Sequence, residues 1–224
     1  AIGLPSASSS PKPTMSKVSY LEGFKEVFSN KSAFACLIGF ALSAAGWQAI
    51  LLYSISFFRQ QFLVSTGFAT AILSGGALCY TIGSLVGGRF VNRFGRKTLT
   101  VLGCFLLGMF TISFTNLPNL WLSLPFTYLG SLFAGIRYTA SSSLTLEQVP
   151  RFRGTMMSIF SAADSLGSAF GAGLGGLLLL LYNYELLGIS LGAIGIAAAM
   201  ILHLLVTDPT ATQLNEPVHK PHKP

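Results

Sequence analysis

The sequence predicts an all-α membrane protein built around six transmembrane helices, and three observations predict it. Of 224 residues, 51% are hydrophobic and only 9% charged, well under the roughly 25% that keeps a globular surface in water. Six apolar segments follow one another, each near the length of about 20 residues that crosses some 30 Å of hydrocarbon as a helix. None alternates apolar and polar residues with period two, which excludes barrel strands. Cys36, Cys79 and Cys104 are odd in number and set in apolar runs, which excludes a disulfide scaffold. The formal charge of +7 would serve nucleic acid only on a soluble face. This chain has almost none, so no nucleic-acid partner is expected and the lipid bilayer is the first partner.

Three regions follow along the chain. Residues 1–32 read as a cytoplasmic linker with a short amphipathic helix. The run Ser6-Ala7-Ser8-Ser9-Ser10-Pro11-Lys12-Pro13 is too polar and proline-broken to pack, and no signal-peptide core follows a basic start. Ser19 with Glu22 three residues on forms a capping-box pattern, and Tyr20, Phe24, Val27 and Phe28 share a helical face. The alternative is a solvated lead-in to the first span. Residues 33–206 form the six-helix domain, with spans at 33–58, 67–88, 99–115, 120–146, 155–182 and 186–206. Residues 207–224 read as a disordered cytoplasmic tail. Its His219 and His222 lack the further ligands a metal site needs.

Charge placement orients the spans. If the N-terminus is cytoplasmic, that side holds twelve of the fourteen basic residues, as the positive-inside rule requires. The far side keeps Arg59, balanced by Glu185. Both termini are then cytoplasmic. Arg137 lies within the fourth span.

Several function classes fail for want of their chemistry. An intramembrane serine protease needs a serine and a histidine base at membrane depth, but His203 sits near the end of the last span. No phosphate-binding glycine loop with lysine is present. No enzyme activity, catalytic residue, cofactor or metal is expected. The polar side chains instead gather on four spans: Trp47, Gln48 and Tyr53 on the first, Tyr80 and Thr81 on the second. Arg137, Tyr138 and Thr139 lie on the fourth, and Ser161, Asp164, Ser165 and Ser168 on the fifth. These four helices are expected to line a cavity by way of Trp47, Gln48, Tyr53, Tyr80 and Tyr138. The third and sixth spans are expected to be structural or lipid-facing.

Arg137 and Asp164 are the sharpest signal, because a charge near mid-membrane is costly and is retained for function or pairing. Both lie nine residues from the cytoplasmic end of their spans, roughly 13 Å at 1.5 Å per residue, so the two can meet if their helices pack side by side. One reading is a buried ion pair that fixes helix register. The other is proton or cation exchange at Asp164, with Arg137 as its charge partner and as a group that binds anions when the pair opens. Gly167, Gly171 and Gly175 recur every four residues on the fifth span, and Gly83 and Gly87 on the second. That spacing permits close, sliding helix contacts or tight static packing.

The loop Gly88-Arg89-Phe90-Val91-Asn92-Arg93-Phe94-Gly95-Arg96-Lys97 resembles the loop signature of the major facilitator superfamily, with Asn92 where that signature usually has Asp. Glu147-Gln148-Val149-Pro150-Arg151-Phe152-Arg153-Gly154 resembles the segment between the fourth and fifth helices of each half in the same family. The resemblance implies a C-terminal six-helix half with a 3+3 inverted repeat, most like the proton-coupled efflux branch of antiporters and permeases. It further implies a small-molecule substrate, a cell-membrane location and a partner that is either an N-terminal six-helix half or a second copy. Gly88, Asn92, Arg93, Gly95, Arg96, Lys97, Glu147 and Arg153 would form a cytoplasmic gate, with Glu147 available to hold Arg93 or Arg153. A half-size homodimeric transporter and a non-transporting sensor or assembly protein remain alternatives.

Overall fold

The computed structural model describes residues 17–209, and all their regular structure is helical. The polar run at 1–14 and the tail with His219 and His222 lie outside the described residues. Helix α1 covers Lys17–Ser29, α2 Lys31–Phe62, α3 Thr66–Phe94, α4 Arg96–Asn116 and α5 Leu120–Gln148. A 3-10 turn at Pro150–Phe152 leads into α6, Arg153–Leu181, and α7 is Tyr184–Leu205.

Helix α1 opens at Lys17, so Ser19 lies within it instead of capping it. Its Val27 is fully buried in a cluster with Leu37, Phe40, Phe152 and Met156. Leu21, Phe24 and Phe28 stay exposed, so one face is docked and the other apolar face is open. The longer helices start at points the sequence marks. Asn30 accepts from the backbone N–H of Ser32 and Ala33, Ser65 from Phe68, Asn119 from Trp121 and Asn183 from Leu186. Each cap satisfies N–H groups that a helix start leaves without partners. Gly95, at φ +84°, ends α3 and starts α4 in one residue, a conformation glycine adopts without steric cost.

Helices α2, α3, α4 and α7, and the segment Pro150–Leu181, are long and apolar enough to cross a membrane. Helix α5 has 29 residues, ample length, but Arg137, Pro125 and a run of Ser and Thr make it more polar. Five of the six expected spans therefore meet both criteria. From α2 to α7 successive helices alternate in direction, as the contacts at the two ends show. One end of the bundle gathers the α3–α4 and α5–α6 turns with their Arg and Lys residues, and is called the basic end below.

Helix α2 packs mainly on α6 and α7, α5 on α3 and α4, and α4 also on α7. Small residues set these seams. A Cβ on Gly167 or Gly171 would meet the carbonyl of Ala41 or Ala45, and one on Gly83 the carbonyl of Leu132. Backbones this close need a residue without a side chain. Between α4 and α7 the relation is mutual, since Gly108 faces the Gly192 carbonyl and Gly192 the Gly108 carbonyl.

Polar contacts close the basic end. Ser32 Oγ donates to Gln148 Oε1 at 2.7 Å, Gln148 Nε2 donates to the Thr207 carbonyl at 2.9 Å, and the Thr207 N–H donates back to Ser32 Oγ at 2.9 Å. The start of α2, the end of α5 and the segment after α7 are thereby tied in a ring. At the other end an aromatic cluster does this work, with Phe57 edge-on to Phe114 and Tyr184, both at 5.5 Å.

Candidate functional site

A cleft of about 590 Å³ opens between α2 and α3, toward the end away from the basic turns. Its size falls within the range of small-molecule sites. Trp47 and Gln48 of α2 and Tyr80 of α3 line it. The Trp47 and Tyr80 rings stack at 6.2 Å between centroids with 11° between planes, giving one aromatic wall across two helices.

Two expected lining residues are elsewhere. Tyr53 donates its hydroxyl to the Ala172 carbonyl of α6 at 2.8 Å, and its ring fills the space beside Gly175. Tyr138 packs against Phe40 and Phe160, at 6.1 and 6.2 Å, near the basic end. The roles of two helices also differ from expectation. Helix α4, read as structural, supplies the Leu107, Phe110, Thr111 and Phe114 part of the wall, and α6 contributes nothing to it. Phe110, Thr111 and Phe114 were missed because the span holds no charge, although their one-face spacing was readable. The polar face of α6 is separate: Ser161 and Ser165 are exposed, Asp164 and Ser168 half-buried.

Arg137 is 2% exposed. Its Nη1 donates to Ser43 Oγ at 2.8 Å, its guanidinium carbon stands 5.2 Å from the centre of the Phe40 ring, and its Nε has no partner. Cys104 Sγ donates to the same Ser43 oxygen at 3.3 Å. Arg137 and Asp164 form no ion pair; both ion pairs among the described residues are made by Glu147. The shared depth read from the sequence was not enough, because α5 packs on α3 and α4 and turns Arg137 toward Ser43 of α2 and Gly103 of α4. Arg137 thus lies six residues beyond Ser131 of the cleft wall, roughly 9 Å along the helix, as a buried cation without a carboxylate. Cation–π attraction and one charge-assisted hydrogen bond offset part of its desolvation.

At the basic end Glu147 Oε1 pairs with Arg96 at 3.3 Å and with Arg153 at 3.1 Å. It joins the α3–α4 turn to the α5–α6 turn. The acid expected to hold Arg93 or Arg153 therefore holds Arg153 and Arg96, while Arg93 lies over the Phe94 ring at 5.5 Å. Gly88 and Asn92 are exposed, and Lys97 is half-exposed beside His203.

Comparison with known proteins bears on the whole arrangement. Residues 35–224 match the Major Facilitator Superfamily. A protein described as a Na(+), Li(+), K(+)/H(+) antiporter from Planococcus maritimus is 23% identical over 195 residues, 84% of this chain and 45% of its own length. The 3-(3-hydroxy-phenyl)propionate transporter of Escherichia coli K12 is 33% identical over 108 residues, 46% of this chain and 26% of its own length. The cis,cis-muconate transport protein of Acinetobacter baylyi is 26% identical over 165 residues, 73% of this chain and 40% of its own length. The chain spans less than half the length of each of these relatives. A match that runs through the helical bundle, with both charged turns at the expected places, identifies the chain as a member of the major facilitator superfamily.

Proposed function

We propose that this chain is the C-terminal six-helix half of a secondary active transporter that moves a small solute by alternating access. On this reading α5 is the sixth span, its polarity accepted because it is buried among α2, α3 and α4. The orientation is that of the positive-inside rule, with the basic end and both termini cytoplasmic in the cell membrane. The helices divide into two inverted triplets, α2–α4 and α5–α7. The packing supports that division: exchanging α2 with α5, α3 with α6 and α4 with α7 turns the principal pairings into one another.

The observation that carries the proposal is the cleft walled by Trp47, Gln48 and Tyr80, with a buried Arg137 beneath it. It offers a ligand-sized space, with a fixed charge behind its wall one to two helical turns nearer the basic end. The second six-helix bundle, from the same protein or a second copy, covers the exposed faces of α3 and α6 and rocks against them. Asp164, half-buried on α6 and in no ion pair among the described residues, is the coupling carboxylate. Arg137 sets the local potential from behind the cleft wall. Glu147, Arg96 and Arg153 form a surface contact weak enough to break in each cycle.

The test is the full-length protein in proteoliposomes under an imposed proton gradient. Asp164→Asn is expected to abolish gradient-driven transport while leaving the thermal unfolding midpoint unchanged. Unaltered transport by that variant removes Asp164 from the coupling role.

A further inference from the structure

Five of the hydroxyls that line the cleft point in a defined direction. Ser54 donates to the Ile50 carbonyl, Thr70 to Thr66, Ser74 to Thr70, Thr127 to Ser123 and Ser131 to Thr127. All five line the cleft. Each hydrogen is spent on the carbonyl one turn back, a habit of serine and threonine inside helices. What they turn toward the cavity is oxygen lone pairs. Among the described residues no Asp, Glu, Lys, Arg or His contributes to the cleft wall.

We propose that the cleft selects an uncharged, planar aromatic molecule carrying O–H or N–H donors, a phenol or aromatic amide in type, held flat against Trp47 and Tyr80. This rests on the reading of the cleft as the substrate cavity. The stacked indole and phenol supply a face that binds a π-system by offset stacking. The acceptor oxygens on α2, α3 and α5 then receive the donors at its edge. A carboxylate fares badly here. Trp47, Gln48, Tyr80 and Thr111 offer it neutral N–H and O–H donors, but it would also face five lone-pair-bearing oxygens and no cation, and a buried charge without a charged partner is strongly disfavoured. Arg137 cannot serve it without leaving Ser43 and Phe40. A hydrocarbon ring of the same shape would fit, but would leave the oxygens dry and unpaired.

The experiment uses purified full-length protein and three probes of one shape: 2-naphthol, 2-methoxynaphthalene and 2-naphthoate. Binding is measured without a gradient for the unaltered protein and for the double variant Thr70→Val, Thr127→Val, which keeps side-chain shape and removes two acceptors. Comparing one probe across two proteins cancels its partitioning into lipid or detergent. The expected result is that 2-naphthol binds at least about fivefold more weakly to the variant, the fold-change of roughly one hydrogen bond. The affinity of 2-methoxynaphthalene is expected to stay the same. Equal losses for both probes, or no loss for either, overturn the proposal. So does tighter binding of 2-naphthoate than of 2-naphthol to the unaltered protein, a comparison that stands even if the variant does not fold. Transport is then scored separately in proteoliposomes. Selective binding of 2-naphthol with no probe transported sinks the transporter reading and leaves the ligand class standing. Transport without that selectivity does the reverse.

Discussion

Arg137 shows how one side chain can be both a cost and a constraint. Its guanidinium is nearly inaccessible, and Nη1 donates to Ser43 Oγ. Removing the acceptor should hurt more than removing the charge. Ser43→Ala leaves a buried cation without its bond and is expected to destabilise the full-length protein by about 1–3 kcal/mol. Arg137→Met removes the cation itself and should leave stability equal or higher, since buried charges replaced by well-packed apolar groups often do. Denaturant or thermal unfolding of the two variants side by side checks the order, and a larger loss for Arg137→Met contradicts it. Glu147 is the opposite case. It is partly exposed, and so are both its partners, so Glu147→Gln should cost less than about 1 kcal/mol by the same measurement.

Among the helices, α6 offers an internal control. Gly167 sits against the Ala41 carbonyl, whereas a Cβ on Gly173, six residues on, would meet nothing within 4 Å. Gly167→Val is expected to force α2 and α6 apart and cost about 1–3 kcal/mol, as overpacking does. Gly173→Val should change the unfolding midpoint little. Equal effects would mean that the close α2–α6 seam does not hold the bundle. The same pair of helices shows what a sequence can and cannot specify. Where each apolar helix lies was legible, because run length and the caps at Asn30, Ser65, Asn119 and Asn183 are local properties. The sequence also put Arg137 and Asp164 at one depth, but depth alone does not make a pair. The direction each helix faces was not legible, because it depends on which seam each glycine stripe joins. That is why Arg137 turned to α2 and α4, why Tyr53 and Tyr138 left the cleft, and why Thr111 of the uncharged α4 entered it. Trp47, Gln48 and Tyr80 stood out in the sequence because large polar aromatics and amides are rare in such runs.

For the molecule as a whole, the pairings among α2 to α7 come in matched sets, and the basic turns all collect at one end. Charge scarcity made the turns readable as topology, and the Gly95 and Glu147 segments carried the family resemblance that the comparison upheld. The packing of α1 was only half legible. Its amphipathic pattern was plain, but Val27 faces inward while Phe24 and Phe28 remain uncovered.

The ring of Ser32, Gln148 and Thr207 has a consequence for chain connectivity. Residues 32 and 207 bracket the bundle in sequence yet lie one hydrogen bond apart, so the path of the backbone is nearly closed. Such proximity is what makes circular permutation tolerable. A chain reopened at Gly95, with residue 207 joined to residue 31 by a short turn, would thread the same six helices in a new order. Both new ends would remain on the face where the turns now lie. Helical content equal to that of residues 31–207 in their original order, and a single symmetrical peak on size exclusion, are the expected outcome. Aggregation would mean that order of synthesis, and not only the seams between helices, decides how this bundle assembles.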